Sequence, residues 1–183
     1  GLRQIELMCF VNDVIFKAIL ENCTQLSGLA MSCPELTPEA FCAAVSGKHK
    51  LLLSTLRIDH CETLNDTCLK ALSVAFPTIK SFRLSLTKEI TNDGLRLFLR
   101  ACSQLTDLQL ITSNGHKMLG GGTSNNLQYL GLFAITFHSA LAFKKLCQSS
   151  QNLREIQLYS SNISNTDIRT MAKSCRLMEI VAV

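Results

Sequence analysis

Apolar residues recur along this chain in a fixed triplet, in which a first apolar residue is followed by two more, three and five positions later. The first member falls at Leu2, Leu26, Leu53, Ile79, Leu105, Leu127, Leu153 and Leu177, at intervals of 24, 27, 26, 26, 22, 26 and 24 residues. The other two are Ile5 and Leu7, Leu29 and Met31, Leu56 and Ile58, Phe82 and Leu84, Leu108 and Leu110, Leu130 and Leu132, Ile156 and Leu158, and last Ile180 and Ala182. Residues two apart share one face of a strand, because strand side chains alternate. The triplets therefore predict eight short strands with one apolar face each, near residues 3–8, 27–32, 54–59, 80–85, 106–111, 128–133, 154–159 and 178–183.

After each strand the period changes. In the stretch LSTLRIDHCETLNDTCLKALSVAF, residues 53–76, Asn65 precedes Leu69 and Leu72 at helical spacing. Asn12, Thr37, Asn65, Thr91, Thr136 and Ser164 are the expected N-caps, all residue types that accept a hydrogen bond from an orphan helix N–H. An apolar residue lies four positions beyond each except Thr136. A strand, a turn and a helix in about two dozen residues cannot bury their apolar faces alone, and self-similarity at this period means stacked repeats. The expected fold is α/β: a single solenoid over residues 1–183, with about eight repeats, a curved parallel sheet on the concave face and short helices on the convex face. It is expected to be a fragment lacking both caps. The fifth repeat departs from the rule, since Gly120, Gly121 and Gly122 disfavour a helix and predict a mobile loop; residues 46–50 are a second predicted loop.

The run Leu53-x-x-Leu56-x-Ile58-x-x-Cys61-x-x-Leu64-Asn65-Asp66-x-x-Leu69 resembles the cysteine-containing leucine-rich repeat of F-box proteins, the substrate receptors of cullin ubiquitin ligases. In the first two repeats the cysteine comes one residue earlier, at Cys9 and Cys33, and Thr87, Ser113 and Ser161 hold the matching place later. No F-box segment lies within these residues. The resemblance implies a non-enzymatic protein-interaction scaffold, the substrate-recognition region of such a receptor, joined to a cullin-type assembly through a segment before Gly1. The alternative is a regulatory or sensor repeat region of a larger protein with no ubiquitin ligase role.

Composition narrows the partners. At 47% hydrophobic and 17% charged, the chain is more apolar than a typical soluble domain, as a solenoid with uncovered ends would be. A net charge of +4 with no Lys/Arg stripe argues against a nucleic-acid partner, and no apolar run approaches the ~20 residues that span a bilayer. Nine cysteines, an odd number placed by repeat position, read as packed, reduced thiols in the cytoplasm or nucleus. No catalytic, cofactor or metal signature is present. The nearest is Gly115-x4-Gly120-Gly121-Gly122-Thr123, with glycine where a phosphate-binding lysine belongs. His49, His60, His116 and His138 are scattered, and the sequons at Asn22, Asn65 and Asn162 are of the kind that chance supplies.

The outward strand positions are the candidate partner-binding residues: Arg57, Arg83, Asp107, Ile111, Tyr129, Phe133, Gln157 and Tyr159. They form two patches. Ile111, Phe133, Tyr159 and Val183 stand in one apolar row with Tyr129 beside it, either a partner site or a surface covered by a C-terminal tail. Arg57 and Arg83, flanked by Thr55, Ser81 and Ser85, either grip a carboxylate or phosphate or are balanced by Asp59 and Asp107.

Overall fold

The computed structural model describes residues 1–46, 52–85, 87–112, 117–118, 126–137, 139–159 and 162–183. In chain order the elements are β1 (Gln4–Phe10), α1 (Asp13–Asn22), β2 (Gly28–Ser32), α2 (Pro38–Ser46), β3 (Thr55–Asp59), α3 (Asp66–Ala75), β4 (Ser81–Ser85), α4 (Asn92–Ala101), β5 (Asp107–Ile111), β6 (Lys117–Met118), β7 (Tyr129–Phe133), β8 (Thr136–Phe137), α5 (Ala140–Ser149), β9 (Glu155–Tyr159), α6 (Asn165–Ser174) and β10 (Ile180–Ala182). Eight strands form one open, all-parallel sheet in the order β1-β2-β3-β4-β5-β7-β9-β10. Each crossover leads to the neighbouring strand, and crossovers of one hand put the connecting elements on one face.

Burial shows which face. Leu29, Met31, Leu56, Ile58, Phe82, Leu84, Leu108, Leu110, Leu130, Leu132, Ile156 and Leu158 all point into one core with Phe16, Phe41, Leu69, Leu72, Leu95, Phe98, Phe143 and Met171 of the helices. The alternate residues of β3, β4, β5 and β9 are part-exposed or exposed. No helix of the described residues lies on this face.

Helix starts follow the acceptor rule. The side chains of Asn12, Asn65, Thr91 and Ser164 accept from the N–H three residues on, and Thr37 Oγ1 accepts from the Ala40 N–H at 3.4 Å. Successive strand–helix units are also tied across this end. Asp13 takes the Thr37 N–H at 2.8 Å and its hydroxyl at 2.7 Å, and Asp66 takes the Thr91 N–H at 2.8 Å and its hydroxyl at 2.6 Å. The carboxylate thus sits at the positive end of the next helix. Thr63 and Thr87 make a second tie, donating to the carbonyls of Leu36 and Leu64.

Three expectations are corrected. Thr136 is not a cap: Thr136–Phe137 pairs with Lys117–Met118 as a separate two-stranded sheet, and Ser139 caps α5. Four residues beyond Ser139 lies buried Phe143, so the apolar spacing that failed from Thr136 holds from the true cap. The eighth register slips by one. The Met178 N–H bonds the Cys175 carbonyl as Leu153 does Ser150, Met178 packs on the core while Leu177 is 45% exposed, and Val181 pairs with Ile156 where Ile180 is expected. In β1 the pairing shifts between Leu7 and Phe10, which leaves Cys9 exposed and puts Val11 in the buried place after the strand.

No disulfide joins any of the nine cysteines. Cys23, Cys102 and Cys175 each end a helix, donating their N–H to Ile19, Phe98 and Met171. Cys33, Cys61, Cys68, Cys102, Cys147 and Cys175 are buried. The predicted glycine loop of the fifth repeat, residues 47–50 of the other predicted loop and the Gly115–Thr123 run lie outside the described residues, apart from Lys117–Met118.

Candidate functional site

The free sheet face is built by register. Pairing aligns Arg57 with Arg83, Arg83 with Gln109, and then Gln109 with Gly131 and Gly131 with Gln157. On one side of that row stand Asp107, Tyr129 and Glu155, and on the other Ile111, Phe133 and Tyr159, each aligned with the next. All eight candidate residues lie on this one face of β3, β4, β5, β7 and β9, as alternation requires. Neighbouring strands are about 4.8 Å apart, so residues aligned along a row are neighbours on this face.

Arg57 and Arg83 share one carboxylate. Arg57 Nε meets Asp59 Oδ2 at 2.6 Å and Arg83 Nε lies 3.4 Å from Asp59 Oδ1, the latter an ion pair without hydrogen-bond alignment. The Arg83 Nη1 donates to Gln109 Oε1 at 3.4 Å. Of the two readings of this patch, the balanced pair is the geometry present, with Asp59 as its counter-ion. Asp107 forms no ion pair with a described residue; its Oδ2 accepts from the Thr106 hydroxyl at 2.5 Å. Asp59 leaves a single net positive charge among the three groups.

The apolar row is a stacked plate. The rings of Phe133 and Tyr159 lie 5.2 Å apart at an interplanar angle of 12°, within the range of favourable aromatic pairs. Tyr159 is 44% exposed and Ile111 and Phe133 are part-buried. Val183 does not extend this row, because the register slip that aligns Ala182 with Gln157 removes it from the expected column beside Tyr159. Gly131 makes the close packing possible: a Cβ there would stand 2.9 Å from Phe133 Cε2, 3.1 Å from the Tyr129 hydroxyl oxygen and 3.2 Å from Gln109 Cγ. Two rings and an amide stem fill the space of its missing side chain.

Burial pushes the Tyr129 phenol above its ordinary value; the carboxylates of Glu155 and Asp107 push the same way, and Arg83 pulls it down. Tyr129 therefore sits between an acidic and a basic neighbourhood. Glu155 Oε1 accepts from Gln157 Nε2 at 2.8 Å, which fixes both side chains. Glu155 and Gly131 are outward by spacing alone, but spacing gives no sign that a glycine seats two rings or that a glutamate flanks a tyrosine.

Among the described residues no group of His, Cys, Asp and Glu is placed to hold a metal ion, and no helix is long and apolar enough to cross a membrane. His60 is exposed in a left-handed turn at φ 53°, and His49, His116 and His138 lie outside the described residues. Asn65 is a helix cap, and Asn162 clamps the Phe137 backbone, accepting its N–H at 2.7 Å and donating to its carbonyl at 3.0 Å. Compared with known proteins, no family model matches this chain and no curated protein is significantly similar to it.

Proposed function

We propose that this chain is a non-enzymatic protein-interaction module, a leucine-rich-repeat solenoid whose free sheet face docks a partner. The observation that carries the reading is the Phe133–Tyr159 plate, aromatic surface on a sheet face that no helix of the described residues covers. Exposed aromatic anchors surrounded by polar residues are what protein interfaces use. The repeated ties between neighbouring helix starts support a modular stack.

The cysteine-containing repeat at Leu53–Leu69 adds a narrower reading: the substrate-recognition region of an F-box-type ubiquitin ligase receptor, working in the cytoplasm or nucleus. The test is affinity purification of the protein tagged at its own locus, beside a Phe133→Ala/Tyr159→Ala variant. Recovery of a cullin scaffold and its adaptor with both, and of one further protein with the unaltered form alone, is the expected result. Loss of the cullin machinery from both would remove the ligase role and leave the regulatory or sensor reading. Identical companions for both forms would defeat the docking face itself.

A further inference from the structure

We propose that the Asp107–Tyr129–Glu155 row, with the Phe133–Tyr159 plate beside it, receives an arginine or lysine side chain of a partner polypeptide. The inference rests on the docking role above and supplies the chemistry that the docked segment must carry.

Charge on the free face is divided. The five-residue strands β5, β7 and β9, DLQLI, YLGLF and EIQLY, hold Asp107 and Glu155 and no lysine or arginine. The cations of the face, Arg57 and Arg83, lie on β3 and β4 around Asp59. Arg154, just before β9, is drawn to Glu179 at 3.0 Å. Neither Asp107 nor Glu155 forms an ion pair with a described residue. Among the described residues each accepts a neutral hydrogen bond, Asp107 from Thr106 and Glu155 from Gln157, so each carboxylate retains acceptor capacity for a ligand.

Tyr129 is level with both, one strand away on either side at about 4.8 Å. A guanidinium or ammonium laid over its ring meets the negative π-face and a carboxylate on each side, while its aliphatic stem lies along the Phe133–Tyr159 plate. An acidic or phosphorylated side chain would meet two like charges there instead. The surface is thus complementary to a basic residue and repels an acidic one.

A random peptide library displayed on phage is the probe, panned against the whole chain. Peptides enriched on the unaltered protein are expected to contain arginine or lysine, and their affinity is expected to fall at least about tenfold for Asp107→Asn/Glu155→Gln, which removes both charge-assisted contacts. Both substitutions keep the oxygens that Thr106 and Gln157 bond, so the fold is retained. Enriched peptides without a basic residue, or basic peptides that bind this variant undiminished, would overturn the cationic ligand. If such peptides still lose binding to Phe133→Ala/Tyr159→Ala, the docking role stands without it. Failure to enrich any peptide would overturn both.

Discussion

Two glycines show how a single residue sets the surroundings of its neighbours. Gly94 lies in the first turn of α4, where alanine would ordinarily raise helix stability by about 1 kcal/mol. Here an added Cβ would stand 1.9 Å from Asp66 Oδ1, the oxygen that accepts the Thr91 N–H. In α2 the equivalent residue is Ala40, and its N–H reaches the cap at 3.4 Å against 3.1 Å for Gly94. We therefore expect Gly94→Ala to give no net gain in urea unfolding, yet to stabilise by about 1 kcal/mol in an Asp66→Ala background; equal effects in both would refute the clash. Gly131→Ala should cost about 1 kcal/mol by overpacking and weaken partner binding with it. Cys102 gives a pH prediction, for burial pushes its thiol up to about 12 from 9.0. Its protonated form is favoured by folding, so the stability it contributes is complete below pH 9.0 and is lost as pH rises towards about 12, at about 1.4 kcal/mol per pH unit. Replacing Cys102 by Ala should remove that component of the alkaline loss measured by denaturant titration.

At the scale of the element, the capping residue decides where each helix begins. Ser139→Ala should cost about 1 kcal/mol, measured by thermal or urea unfolding, whereas an N-cap at Thr136 would give that loss to Thr136→Ala instead. Strand positions and most helix starts were legible because two signals coincide, the alternating triplet and an acceptor four residues before an apolar anchor. They fail where one signal is ambiguous. Leu177 and Met178 are both apolar, and only the hydrogen bond to Cys175 chooses Met178. Thr136 is a proper acceptor, but Phe137 beside it is drawn into pairing with Met118. The candidate face was legible as a set of columns, since alternation fixes which side chains point outward. The partner that Arg83 takes, and the ring that leans over Gly131, depend on side-chain conformations that no periodicity encodes.

Across the whole molecule, the elements that meet lie near one another in sequence. The helix contacts run α1 to α2, α2 to α3, α3 to α4 and α5 to α6, and every strand pairs only with the one before and after it in the sheet. As the solenoid proposed above, the molecule would be quasi-one-dimensional and open locally. Backbone amides of β3, β4 and β5 should exchange with solvent most slowly, and those of β1 and β10 fastest, because these two strands are paired on one side only. Native-state hydrogen exchange with one uniform protection across all eight strands would show a single cooperative unit instead.

The aromatic patch also determines what the molecule does with ultraviolet light. The chain has no tryptophan and two tyrosines, and these two, Tyr129 and Tyr159, belong to the same face of β7 and β9. Its tyrosine emission therefore originates within a few ångströms of the surface proposed to meet a partner. Occupancy of that surface changes the intrinsic fluorescence without any label, while disturbances confined to the helices at the far end of the stack stay dark.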